Sequence, residues 1–390
     1  MSNDAHIIGI GQTPIAKRGG YDGRPELDLA AEAIRAAAAD AGLQVDAIDG
    51  LVTYAIDLPG EDTYGAVLLQ EVLGLPNLRH GSIVYTSGGG GACGAVALAA
   101  SAVETGRATN VAVFRSVVQS EQRYGRYNPQ RPFYNWTAPY GAFAPPVFYA
   151  LTMRRHMELY GTTSEQLGHV AVTFRNHANR NPSARFFSQP LSMEDYLASR
   201  MIAEPYRLFD CCVESEGAAA LIVTTEERAR DSASRPVRVL AAEQGAGGGF
   251  GSGPIGWNNM PIEIYETGGI GDLADRLFAR AGVNRENIDV AQIYDAFTGM
   301  VIVALEDYGF CARGEGGHFV EGGRIGLGGA LPINTSGGHL SEGYMHGANL
   351  VLEAVRQIRG TSTAQVTDAE LAFVSSVSGL TPTSALILAS

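Results

Sequence analysis

Lysine is almost missing: Lys17 stands alone among 28 basic residues, and the rest are arginine. A mechanism through a Schiff-base lysine has that one candidate, beside Arg18 and two glycines, and is nearly closed off. Cysteine is scarce too. Four thiols in 390 residues (Cys93, Cys211, Cys212, Cys311), with no CxxC pair, make no disulfide framework. No apolar run reaches the roughly 20 residues that a membrane-spanning helix needs. The opening MSNDAHIIGIGQ has neither the charged nor the apolar region of a secretory signal. Positive charge is short as well. A balance of 28 basic against 41 acidic residues, net −13, argues against a nucleic-acid partner. With 45% hydrophobic and 18% charged residues, the expectation is a reduced, cytoplasmic, globular protein without a membrane span.

Glycine, by contrast, is abundant: 49 residues, clustered where the chain must turn tightly or approach a ligand closely. Between those clusters, strands alternate with alanine-rich helices. His6-Ile7-Ile8 opens a strand, and Leu29–Ala41 is a helix with Leu29, Ala33, Ile34 and Ala37 on one face, ended by Gly42. Ile48–Tyr54 reads as a strand, Gly94–Thr105 as a helix stopped by Gly106, and Asn110–Ser116 as the next strand. This alternation predicts a largely buried, mostly parallel sheet. Residues 117–210, rich in Tyr, Pro, Asn and Arg, break it and read as an insertion with helices of its own, such as Pro146–Tyr160. Ala218–Thr224 resumes the strands, and a second strand–helix series starts at Val237.

The second series repeats the first. AGLQVDAIDGLVTY from Ala41 aligns with AGVNRENIDVAQIY from Ala281, pairing Gly42 with Gly282, Asp49 with Asp289 and Tyr54 with Tyr294. Thr86-Ser87-Gly88-Gly89 matches Thr335-Ser336-Gly337-Gly338, each leading into a helix. The second copy carries about five extra residues before its helix, among them Glu342, Gly343 and Tyr344. The implied organisation is residues 1–116 with 211–235 as one half, 117–210 as the insertion, and 236–390 as the other half.

Four stretches give the duplication a family likeness: DLAAEAIRAAAADAGLQVDAIDGLV, CCVESEGAAALIV, IYDAFTGMVIVALEDYGFC and INTSGGHLSEGYMHGANLVLEAVRQIRG. Together they resemble the thiolase superfamily, and most closely its sterol-carrier-type branch. The likeness implies an α/β thiolase fold: two duplicated βαβαβ halves in five layers (αβαβα), with two helices in the middle. The reactive side chains of that family are gone. Its nucleophilic cysteine, counted back from Gly106, falls on Gly89. The histidine of its GHP motif falls on Tyr344, and the histidine or asparagine of its HDCF or NEAF motif on Tyr294. Its second cysteine falls within Ser375-Ser376-Val377-Ser378. Cys93, one helical turn past Gly89, reads as a buried small apolar residue.

Two phenols thus stand where the thioester-exchange groups would be. Tyrosine is a weak base alone and a good proton donor, and its neighbours can tune it into a proton shuttle. The pocket of the family stabilises a thioester enolate; without a cysteine to accept the acyl group, aldol or retro-aldol cleavage of a 3-hydroxyacyl-CoA remains. The sequence resembles the steroid side-chain-cleaving aldolases of the lipid-transfer-protein type. By that resemblance the substrate is a 17-hydroxy steroid carboxyl-CoA, the products are a 17-ketosteroid and propionyl-CoA, and no cofactor is needed because CoA is part of the substrate. The resemblance also implies a homodimer and an OB-fold (DUF35-type) partner protein in an α2β2 complex. Tyr344 is assigned as base and Tyr294 as donor to the enolate, held by Asp295, with the reverse assignment open. His339 and His346 are either supports for Tyr344 or ordinary loop residues, and Gly89, Gly337, Gly338 and Gly343 are placed at the substrate pocket. His339, His346 and Asp295 match no defined metal-ligand spacing. Tyr54, the repeat mate of Tyr294, is expected to tolerate phenylalanine. The aromatic residues Tyr124, Tyr127, Phe133, Tyr134, Trp136 and Tyr140, with the glycine-rich stretch 245–259, line either a cavity for a ring system or a partner surface. A non-catalytic subunit or an acyl-CoA carrier would also lack the cysteine.

Overall fold

The computed structural model describes residues 4–56, 65–86, 89–118, 134–247, 261–379 and 382–390. Ser87, Gly88, Tyr124, Tyr127, Phe133 and residues 248–259 of the glycine-rich stretch lie outside the described residues, as do the side chains of Tyr134 and Trp136.

The first half is a five-stranded mixed sheet in the order His80–Thr86, Gly50–Ile56, Asn110–Val117, Ser215–Thr225, Ala5–Gln12. The first three are parallel, and Ser215–Thr225 runs antiparallel to both its neighbours. The second half repeats the order with Val290–Gln292, Leu371–Ser375, Thr383–Ala389 and Val237–Gly245. Its outermost strand has shrunk to a single parallel bridge between Ala291 and Ile333. The halves meet edge to edge through His6–Arg238 and Ile7–Val237, so the two sheets run on as one.

Helices complete the layers. Glu26–Ala41 buries Leu29, Ala33, Ile34 and Ala37 against the outer face of the first sheet, as its periodicity predicts. Ala92–Glu104 and Ala348–Arg359 lie between the sheets, and Leu273–Ala281 covers the far face of the second. A helix between two sheets has little room, which is why Ala92–Glu104 carries alanine at Ala95, Ala99 and Ala102. The five-layer arrangement implied by the family likeness is present. Residues 134–210 add the helices Pro145–Tyr160, Ser164–Ala178 and Met193–Ala198, and a two-stranded sheet of Met201–Ala203 with Tyr206–Arg207. Tyr140 there is 88% exposed, which puts it on the surface and not in a cavity.

The repeat is visible in its fastenings. Gly42 and Gly282 end the equivalent helices in left-handed geometry, at φ 72° and 68°. Asp49 Oδ1 accepts the N–H groups of Thr109 and Asn110 at 2.7 and 2.8 Å. Asp289 Oδ2 does the same for Glu370 and Leu371, both at 2.9 Å. One carboxylate per half therefore ties the starts of two neighbouring strands, Gly50–Ile56 to Asn110–Val117 and Val290–Gln292 to Leu371–Ser375.

Candidate active site

Tyr294 stands just beyond the end of the Val290–Gln292 strand, and its backbone is fixed from two sides. Asn334 grips Ile293 with both ends of its amide, accepting from the N–H and donating to the carbonyl, each at 2.7 Å. The Tyr294 N–H donates to Ser375 Oγ at 3.3 Å. Tyr344 sits in the extra residues of the second copy, between the short helix Gly338–Ser341 and Ala348–Arg359. Its N–H donates to Ser215 Oγ at 3.2 Å, a contact from the first half. These anchors bring the two phenol oxygens to 2.9 Å from each other, with the rings nearly perpendicular at 82°. Tyr294 is buried at 2% exposure, whereas Tyr344 is half-buried.

Gly89, the position expected for the family's cysteine, has no room for a side chain. A β-carbon there would fall on the Oη, Cζ and Cε2 atoms of Tyr294. The phenol occupies the volume that a β-carbon on Gly89 would need, so a side chain there and Tyr294 cannot coexist without movement. Cys93 is no substitute. It is 1% exposed, its Sγ faces the Val374 carbonyl at 3.6 Å, and burial pushes its thiol up to about 12. It packs as a small apolar residue would. The serines at the second cysteine position hold backbone: Ser375 takes the Tyr294 N–H, and Ser376 Oγ takes the Cys93 N–H at 3.1 Å.

Both histidines belong to the site. The His339 ring meets Tyr294 edge-on at 4.5 Å and Tyr344 at 5.1 Å, and the His346 ring meets Tyr344 at 4.7 Å. His339 Nε2 accepts the Gly347 N–H at 3.1 Å, and its Nδ1 faces Asp295 Oδ1 at 3.3 Å. Burial lowers His339 to about 3, and burial, then the Arg115 charge, holds His346 well below the ordinary imidazole range. Both rings are neutral walls around the phenols at neutral pH.

Asp295 does not hold the Tyr294 hydroxyl, contrary to the sequence expectation. Its two oxygens accept the N–H groups of His339 and Leu340 at 2.8 and 3.1 Å. Burial pushes this carboxyl upward, and those N–H groups oppose the shift. Its task is to pin the 338–340 turn under Tyr294. Gly338 is required there, with φ at 58° and the Asp295 carboxyl packed where a β-carbon would stand. Gly337 and Gly343 are packing positions: side chains there would strike Ala178 and Ile15. Among the described residues, no group of three His, Cys, Asp or Glu side chains is arranged to hold a metal ion.

Sequence reasoning missed Arg115. It lies in the Asn110–Val117 strand at 6% exposure, and its Nε and Nη2 both reach His346 Nδ1 at 3.1 Å. A charged residue inside the apolar run NVAVFRSV was the available signal. Tyr54, expected to be a bystander, donates its hydroxyl to the His346 carbonyl at 2.8 Å.

Comparison with known proteins gives the family. The family described as thiolase C-terminal domain-like matches residues 264–390. A protein of Thermomonospora curvata named steroid side-chain-cleaving aldolase is 42% identical, over 98% of this chain and 97% of its own. A protein of Mycobacterium tuberculosis named 17-hydroxy-3-oxo-4-pregnene-20-carboxyl-CoA lyase is 39% identical over the whole of both chains. A solved structure described as an Ltp2-ChsH2(DUF35) aldolase superposes with a TM-score of 0.91 at 41% identity, covering 100% of this chain and 98% of that one.

Proposed function

The chain belongs to the thiolase superfamily, in its steroid side-chain-cleaving aldolase branch, and we propose that Tyr294 and Tyr344 carry its chemistry as an acid–base pair. The reaction is retro-aldol cleavage of a 17-hydroxy steroid bearing a carboxyl-CoA side chain, giving a 17-ketosteroid and propionyl-CoA. The observation that carries the tyrosine assignment is the 2.9 Å contact between the two hydroxyls, with Tyr294 filling the space that a β-carbon on Gly89 would need.

The proton balance is simple. Tyr344, as phenolate, takes the proton of the tertiary hydroxyl. The carbon–carbon bond electrons pass into the thioester to form an enolate as the ketone forms. Tyr294 then gives its proton to the enolate carbon. Tyr344 is left protonated and Tyr294 ionised, and one transfer across their hydrogen bond restores the start. Tyr344 takes the base role because it is the more open of the two and replaces the proton-accepting histidine of the thiolases. No covalent intermediate forms, and CoA enters only as part of the substrate.

The assembly is a homodimer carrying two OB-fold partners, an α2β2 complex. The described pairing of an aldolase with a DUF35 protein supports the partner. The edge strand His80–Thr86, with Ile83 45% exposed, supports pairing of first halves. The four thiols are unpaired, in keeping with a reducing cytoplasm.

The test is cleavage of the steroid thioester in D2O. One deuterium should appear at the α-carbon of propionyl-CoA, and Tyr294→Phe and Tyr344→Phe should each lower kcat by about 10²–10⁴-fold. Near-normal kcat in both variants would remove the tyrosines from the mechanism.

A further inference from the structure

A phenol that must act as a base needs hydrogen-bond donors or a positive charge near it to favour the phenolate. Both histidines beside Tyr344 are neutral, and their rings meet it edge-on. Among the described residues, the ionisable groups next to it besides the histidines include Tyr294, Asp295 behind His339, and Glu342 two residues back, all neutral or acidic. The Glu342 oxygens are engaged by Ser336 and Asn349 at 2.7 and 2.8 Å and by Asn181 at 3.3 Å. Among the described residues, a cation reaches this cluster from the other half of the molecule: the Arg115 guanidinium, on His346 Nδ1.

We propose that Arg115 is a positioning residue that sets the charge state of Tyr344 through His346. Its guanidinium is buried in the first sheet and reaches across the junction between the halves. Nε and Nη2 both point at His346 Nδ1 at 3.1 Å, while Nη1 donates to the Tyr54 carbonyl at 3.2 Å. A guanidinium can only donate, so Nδ1 must be the accepting nitrogen and the proton of the neutral ring sits on Nε2. The same contact fixes the plane of the ring that walls Tyr344. His346 is held in left-handed backbone geometry at φ 51°, where a non-glycine residue needs support. The support is the Tyr54 hydroxyl on its carbonyl and the Arg115 fork on its ring. Arg115 thus stands one imidazole away from the phenol, in a water-poor interior where a charge at that range still acts. It favours the phenolate of Tyr344, and it polarises the Nε2–H of His346.

The inference rests on the tyrosine reading, and its test separates the two. In the complete complex, Arg115→Met should lower kcat by about 10–100-fold, change KM less than about threefold, and move the acidic limb of the kcat/KM profile up by about one pH unit. Arg115→Lys keeps the charge and loses the fork; its acidic limb should stay near wild type while kcat falls. Should Arg115→Met fail to fold, Arg115→Gln serves, since its amide still donates to His346 without a charge, and its limb should also move up. An acidic limb at the wild-type pH in the uncharged variant overturns the role of Arg115. If Tyr344→Phe is inactive in the same assays, the tyrosine reading survives that result; if Tyr344→Phe is active, it is the base assignment that fails.

Discussion

Tyr54 and Tyr294 occupy equivalent places in the two halves, one strand length after an aspartate that ties the same two strands together. Yet Tyr54 donates its hydroxyl to a backbone carbonyl, whereas the Tyr294 hydroxyl shares a hydrogen bond with another phenol. What separates them lies outside the repeat unit. In the second half, the extra residues after the TSGG turn bring Tyr344 over Tyr294, whereas in the first half the Gly89–Gly91 turn runs straight into its helix at Ala92. Gly89 completes the asymmetry by leaving its β-carbon volume to Tyr294. On the proposed mechanism, a duplicated scaffold thus holds one reactive phenol and one structural phenol at matched positions, and the extra residues around Tyr344 decide which is which.

That contrast can be broken by mutation, most severely at Tyr344. Tyr344→Phe keeps the ring packing and removes the base, so kcat should fall by about 10²–10⁴-fold with the Tm close to wild type. Gly89→Ala comes next. The methyl displaces the Tyr294 phenol, and kcat should drop by about 10–100-fold, with an overpacking cost of about 1–3 kcal/mol in denaturant unfolding. Tyr54→Phe removes one buried hydrogen bond to His346. It should cost about 1 kcal/mol in stability and slow turnover by no more than about fivefold. Cys93→Ala should have the smallest effect: unchanged turnover, insensitivity to thiol alkylation, and a packing loss of about 1 kcal/mol.

Much of this was legible in the residues. Periodicity located the outer helix Glu26–Ala41 and its buried face, because apolar spacing is a local signal. The thiolase resemblance put Tyr294, Tyr344 and Gly89 at one site, since family motifs carry position along with them, and the structure brings the three into contact. Long-range partners were not legible. Nothing in the local sequence says that Asp295 turns to the 338–340 N–H groups, or that Tyr54 reaches His346, 292 residues away. Those contacts are set by how the two sheets join. Arg115 was the one partner with a visible mark, a charge in a buried strand made mostly of apolar residues.

The most direct measurement is single-turnover cleavage of the steroid thioester by Tyr294→Phe and Tyr54→Phe, side by side, in the intact complex. Loss of one hydroxyl at matched positions should slow the chemical step by about 10²–10⁴-fold in Tyr294→Phe and by less than about fivefold in Tyr54→Phe. Equal rate losses in the two variants, or a near-wild-type rate in Tyr294→Phe, would contradict the division of labour between the halves.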